Sequence, residues 1–345
     1  MKRYLRHSIK NACLPVAILS AICFIMYASV LSTMSLTAFG GGVARNTNVH
    51  LIYIQLIVLS YVAPVVSFSF QMKKTAVDCY FALPLKKTKL YFVATLVGLF
   101  YVFVPFTVSY WGGFFTLLLR PGNLFEMTAY LPGYLGGLFF GICFFGANAF
   151  AFTRANNVLD GVILMIAYSF TVWLALLYVQ QLTHVRFPQA VMESSLQFMA
   201  LNSFADGIQN MIVGRTLNFS WWVIIFPLSY ALLGYFLLFI TLPLKKGELA
   251  EQISNSYLSY KFIIPFFTAT ILGTIEFSLL NLYLTSVGAV VVTLIYSRKW
   301  RMNWRSWVLI GVSIGLGFLL NVLVGIGNLP IVNPPSEMFF ALFCA

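Results

Sequence analysis

Stretch after stretch of this sequence outlasts the ~20 apolar residues that a helix needs to cross a ~30 Å hydrocarbon layer. The runs 90–118 and 129–152 carry no charged residue at all. Further apolar runs lie near 12–35, 50–70, 158–180, 220–243 and 306–327, with one more region, 262–297, between the last two. Only 9% of the 345 residues are charged, against roughly 25% in soluble domains, and 60% are hydrophobic. The expected fold is an all-α, polytopic integral membrane protein with eight to nine transmembrane or re-entrant helices. The start, "MKRYLRHSIKNACLPVAILSAICFIMYASVL", has a basic head, but its apolar stretch outlasts a signal-peptide core and no A-x-A-like site closes it. It reads as a retained first helix.

Basic residues between spans set orientation. With the N-terminus in the cytoplasm, the inner segments hold Lys2, Arg3, Arg6, Lys10, Lys73, Lys74, Lys86, Lys87, Lys89, Arg154, Lys245, Lys246, Lys261, Arg298, Lys299, Arg301 and Arg305. Only Arg45, Arg120, Arg186 and Arg215 of the 21 basic residues then fall outside. The same count divides 262–297 into two helices, because a single one would carry Arg298 to Arg305 outward. At 1.5 Å per residue that region spans about 54 Å, barely two crossings, so short or re-entrant helices are expected there. The whole of 1–345 is expected to form a single transmembrane domain. Its long connections are an inner loop 71–89, an outer loop 181–219 suited to lying along the outer surface, a second inner loop 244–261 and an external tail 328–345.

The net charge of +12 is distributed between spans rather than along a soluble face, which argues against a nucleic-acid partner. Cys13, Cys23, Cys79, Cys143 and Cys344 are scattered, with neither a C-x-x-C nor a His at ligand spacing, so neither a disulfide framework nor a metal site is indicated. None of the 24 glycines precedes a lysine, so the G-K-[ST] step of a phosphate-cradling loop is missing. His7, His50 and His184 fall at an inner tail and near outer helix ends, away from any shared depth. Asp160 reads as a helix N-terminal acid, and Glu193 and Asp206 as solvated loop acids. Glu276 is the candidate intramembrane acid, with a solvated or paired carboxylate as the other reading. Gly133, Gly137 and Gly141 recur every four residues, as do Gly311 and Gly315, which suits close helix packing within the chain or between subunits.

The most distinctive stretch is "QMKKTAVDCYFALPLKKTKLYF", residues 71–92. Pro84 disfavours helix at Leu83, so one or two helical turns and a stop are expected before Lys86, Lys87 and Lys89 open the next span. The spacing places Val77, Tyr80 and Phe81 on one side, flanked by Leu83 and Asp78. Such a helix suits docking into a partner's groove, and equally suits lysines anchoring a span while aromatic rings rest on lipid headgroups.

The order of acid, aromatic, Leu83-Pro84, basic pair and new span resembles the coupling-loop signature of type-2 ABC exporter permeases, in particular the Firmicutes-type multi-span permeases. A second stretch, "PLKKGELAEQISNSYLSYKF", is similar to the later inner loop of those permeases through Lys245, Lys246, Glu248 and Ala250. The two matches cover about 45 residues. The family core usually has six spans, and this chain departs from that number. Its end at Ala345, without a final inner helix, suggests relatives that continue further.

The resemblance implies a multi-pass permease subunit of a bacterial plasma membrane. It would form the translocation path, carry no catalytic site, and hold no cofactor of its own. ATP and Mg would reside on separate ABC ATPase subunits, with Asp78, Tyr80, Phe81, Leu83, Pro84, Lys86 and Lys87 making the coupling contact. The other implied partners are a second permease copy or paralogue and membrane lipids. The expected cargo is a peptide, an antibiotic or a lipid-like molecule. An ion-gradient-driven secondary transporter, with inverted repeats and midplane acids, is the alternative. A membrane-embedded enzyme would need polar residues clustered at one depth.

Overall fold

The computed structural model describes residues 2–33, 37–39, 43–45, 50–82, 86–119, 127–183, 196–212, 222–242, 245, 250–252, 258–274, 279–297 and 302–327. Eleven helices run through them: α1 (Lys2–Thr33), α2 (His50–Phe68), α3 (Lys74–Phe81), α4 (Lys87–Leu118), α5 (Met127–Thr153), α6 (Val158–Thr183), α7 (Leu196–Ile212), α8 (Trp222–Thr241), α9 (Tyr260–Thr274), α10 (Leu279–Ser297) and α11 (Trp304–Gly327). A 3-10 turn, Ser69–Met72, joins α2 to α3. The strands among the described residues are β1 (Thr37–Phe39) and β2 (Val43–Arg45), an antiparallel pair with Thr37 opposite Arg45. Eight helices are long and apolar enough to cross a membrane, and α9 is shorter. The protein is an all-α, multi-pass membrane protein.

The apolar runs became helices for the reason that makes spans legible: in lipid each backbone group must be satisfied within its own segment. Even Pro15, Pro64, Pro105, Pro132, Pro227 and Pro265 sit inside helices. The first helix starts at Lys2, about ten residues before the apolar run, because the basic head is built from residues that favour helix. The region 262–297 divides into α9 and α10, as the charge count requires.

The chain forms two compact units. The first takes residues 1–173 and 188–263. Here α1 packs on α4, α2 lies against α4 and α5, and α5 meets α8. The core is aromatic: Tyr53, Phe106, Phe140, Phe144 and Phe145 are fully buried. Gly133, Gly137 and Gly141 admit this packing. A Cβ at Gly133 would lie 2.6 Å from the Tyr110 hydroxyl, one at Gly141 3.2 Å from Leu56 and Val102, and one at Gly137 would collide with the Phe106 ring.

The second unit takes residues 174–187 and 264–345, and in it α10 packs against α11. Gly311 and Gly315 make no close helix approach among the described residues of this unit. Nothing there lies within 4 Å of a Cβ placed at Gly311 or Gly315, whereas one placed at Gly317 would lie 2.7 Å from Leu272 Cβ. Asn321 strengthens the same contact by donating to the Leu272 carbonyl at 3.2 Å. The i, i+4 pair faces the open side of α11, and the residue two positions further on does the packing.

The outer loop 181–219 yields the largest difference from expectation. Its helical part, α7, packs against α2, α5 and α8 instead of lying along a surface. Ala200, Leu201, Phe204, Ala205 and Ile208 are buried. The helix runs antiparallel to α5: Ile208 reaches Gly133, the Phe204 ring lies tilted 5.2 Å from Phe140, and Gln197 bonds Asn148. Small residues on both partners, Gly136 facing Phe204 and Ala200 and Ala205 on α7, allow the approach.

Candidate functional site

Three polar constellations form within the first unit. One lies at the end of the bundle that carries α3, and it joins the two inner loops singled out in the sequence. The 3-10 turn after α2 swings the chain so that α3 closes its apolar side over that turn. Val77 is buried and the Tyr80 ring sits 4.7 Å from Phe70, which in turn stacks on Tyr91 at 6.2 Å. The residues expected to reach outward as anchors therefore hold α3 to its own bundle. The exposed stripe is Thr75, Asp78, Cys79 and Ala82, at the i, i+3, i+4, i+7 spacing of one helix face. Lys86 is exposed at the N-cap of α4 and Lys87 at its first position. Leu83 and Pro84 lie outside the described residues, as does the side chain of Phe81.

Glu251 completes α3. Its carboxylate accepts from the Lys74 backbone N–H at 3.3 Å, at the helix end where amides lack intrahelical partners and Lys73 offers no side-chain cap. Its own N–H donates to the Asn156 carbonyl at 2.9 Å. To make both bonds the residue adopts φ 65°, a left-handed conformation that costs a non-glycine residue ~1 kcal/mol. Sequence reading passed over Glu251, and its signal is an acid directly after the buried Ala250, with no glycine to relieve the turn.

Lys245 ties the same loop to the α5–α6 turn. Its ammonium donates to the carbonyls of Thr153, at 3.1 Å, and Ala155, which the end of α5 leaves unpaired. The Lys87 ammonium stands 3.5 Å from the Lys245 carbonyl. Arg154 is buried beside them with its guanidinium 5.2 Å over the Phe150 ring. Burial first, and the Arg154 charge second, push the Lys245 ammonium down to about 7. Burial lowers Arg154 to about 10, with the Tyr168 and Tyr91 hydroxyls acting in the other direction. The Tyr168 hydroxyl donates to the Leu258 carbonyl at 2.7 Å, closing the loop's far end. Lys246 and Glu248 lie outside the described residues, and so does Glu276.

The second constellation is neutral and central. Pro64 has no N–H, so the carbonyl of Ser60 one turn earlier has no helical donor. Asn148 of α5 fills that vacancy, donating to the Ser60 carbonyl at 3.1 Å and to Ser60 Oγ at 3.2 Å. Gln197, in the first turn of α7, donates to Asn148 Oδ1 at 2.8 Å and to Ser169 Oγ at 3.2 Å. Ser169 Oγ also lies 2.6 Å from the Tyr61 hydroxyl and donates to the Met165 carbonyl at 3.0 Å. Four helices are thereby joined by side chains, three of them the apolar spans α2, α5 and α6 and the fourth α7. A search confined to charged residues misses this network. Its signals are the single Asn within the apolar run 129–152 and the proline inside α2.

A third cluster holds α7 from its middle toward its C-terminal end. His50 Nδ1 lies 3.0 Å from Asn202 Oδ1, and Nε2 lies 3.0 Å from Gln209 Oε1 and 3.4 Å from Asp206. Asp206 thus faces a histidine rather than only solvent, and His50 serves packing between α2 and α7. Among the described residues no three His, Cys, Asp or Glu side chains gather to hold a metal ion.

The chain matches no protein-family model, and neither a curated protein nor a solved structure matches it.

Proposed function

We propose that this chain is the membrane-spanning permease subunit of an ATP-driven ABC exporter, with α3 as the element that meets a separate ATPase subunit. The observation that carries this reading is the junction of Lys74 with Glu251. It brings the two stretches that resemble type-2 ABC exporter permeases together at one end of one bundle. An element that transmits force must be held firmly on one side and accessible on the other. On α3, Val77 and Tyr80 provide the hold, and Thr75, Asp78, Cys79 and Ala82 provide the accessible stripe. Movement of α3 passes through Glu251 to Asn156, so a push on one short helix reaches the α5–α6 turn, which Lys245 ties to the start of α4 through Lys87.

In this reading the lysine-rich end lies in the cytoplasm of a bacterium, and the ATPase subunits bind ATP and Mg. A second permease copy or paralogue completes the path. Asp78 is an exposed acid near Lys73, Lys74, Lys86 and Lys87, and offers an ATPase groove a charge of opposite sign to its surroundings. Affinity purification from native membranes in mild detergent tests the proposal. The intact chain is expected to recover a subunit bearing a G-K-[ST] phosphate-binding loop, and Asp78→Lys to lose it while remaining folded. Recovery of no such subunit would remove the proposal.

A further inference from the structure

The central network can be read by counting its hydrogens. The Ser60 carbonyl only accepts, so Asn148 must present Nδ2 to it, which turns Asn148 Oδ1 toward Gln197. Gln197 must then present Nε2, and its own Oε1 is left over. The amide orientations follow from one backbone carbonyl and require no choice. Each donor is already committed: Ser60 Oγ to the Ile57 carbonyl at 2.7 Å, Asn148 to Ser60, Gln197 to Asn148 and Ser169, and Ser169 to Met165. Since the Ser169 hydrogen is spent, the Tyr61 hydroxyl is the donor in their shared bond. Gln197 Oε1 is fully buried and has no partner among the described residues.

A network with every donor used and an acceptor in surplus selects its ligand. It offers an anion nothing. None of its five side chains carries a negative charge, so a bare cation in these apolar surroundings would stay uncompensated at high cost. A neutral N–H donor fits, because it satisfies the orphan oxygen without adding charge.

The geometry points to Gln197 Oε1 as a recognition point for a neutral amide N–H of the cargo, within a site built by Ser60, Tyr61, Asn148 and Ser169. This rests on the permease reading, in which alternating access gives α7 reason to withdraw and admit the cargo. Gln197 is in the first turn of α7, and His50 holds the helix from its middle, at Asn202, to Gln209 near its far end, so the movement is confined to the turn that carries Gln197. Withdrawal of Gln197 exposes Asn148 Oδ1 and Ser169 Oγ as acceptors and frees the two Gln197 N–H donors, which the C=O of the same cargo amide can meet.

The test compares two tritium-labelled probes, a capped tri-leucine peptide and the same peptide with every amide N-methylated, which removes the donors while keeping the apolar side chains. Equilibrium binding is measured on the full chain with its copurifying subunits in lipid nanodiscs. The expected result is tighter binding of the N–H peptide by roughly three- to tenfold, the range that one neutral hydrogen bond supports. Gln197→Met is expected to abolish that difference without abolishing residual binding. Equal affinity for the two probes in the intact chain, or binding of neither, assigns the network to helix packing around a water and overturns the inference. The same preparation reports whether an ATPase subunit is present, so failure here with the ATPase recovered would leave the permease reading standing.

Discussion

The α3 end and the central network are both polar, both buried in part, and both built in the first unit, yet they solve the burial of polarity in opposite ways. At the α3 end, cations do the work: Lys245 satisfies carbonyls that a helix terminus leaves open, and it does so beside the charge of Arg154. In the centre no charge is used, and a single proline creates the vacancy that a neutral amide fills. Helix C-termini are places where cations are favoured, by the macrodipole and by the open carbonyls there. Span interiors tolerate amides far better than ions. The difference predicts that the two regions respond to different perturbations.

Asn148→Leu should have the largest effect on the fold. It strands the Ser60 carbonyl and one Gln197 hydrogen together, at a cost of about 1–3 kcal/mol for a buried polar group left unmade. Thermal melting in detergent should fall clearly and by a similar amount at pH 7 and pH 9, because nothing in the network titrates in that window. An effect that varies strongly with pH would break the contrast.

Lys245→Met sharpens it from the other side. The ammonium is near 7 in the folded chain and ~10.4 in an unfolded one. Between those values the unfolded state binds more protons, so stability should rise with pH through this window, and the burden of the buried charge is fullest below pH 7. Melting curves of the intact chain should therefore shift upward from pH 7 toward pH 10, and those of the methionine variant should lose that slope. A slope that persists in Lys245→Met would assign it elsewhere.

Within α3, Tyr80→Ala removes the ring seated on Phe70 and should loosen the helix, lowering both melting temperature and ATPase recovery. Asp78→Lys should have the smallest effect on stability, within ~0.5 kcal/mol for an exposed site, while abolishing ATPase recovery. If Asp78→Lys unfolds the chain, or Tyr80→Ala leaves both readouts untouched, the division of α3 into a held face and an accessible face is wrong.

The same physical divide explains what could be read in advance. Spans were legible because their signal is additive: many apolar residues and few charges decide each one, and α2, α4, α5, α6, α8 and α11 match the runs closely. The division of 262–297 into α9 and α10 was legible from Arg298 to Arg305. The placement of α7 was not, because a helix with mixed polarity has the same sequence whether it lies on a surface or fills a groove between α2, α5 and α8. The glycine pairs show a similar limit. Gly137 matters because Phe106 is opposite it, and no property of its own helix distinguishes it from Gly311. In α3 the apolar side was correctly located and its destination was not, since the turn at Ser69–Met72 decides what Val77 and Tyr80 meet.

Cross-linking from Cys79 tests the central claim most directly. Cys79 lies on the exposed stripe of α3, whereas Cys23 and Cys143 are buried. In a variant with Cys13 and Cys344 replaced by serine, a thiol-reactive benzophenone placed at Cys79 and photolysed in inverted membrane vesicles should yield one adduct. Its partner peptide should come from a subunit carrying a G-K-[ST] phosphate-binding loop, and Asp78→Lys should abolish it. Adducts with lipid alone, or none at all, would contradict the claim that α3 is where an ATPase takes hold.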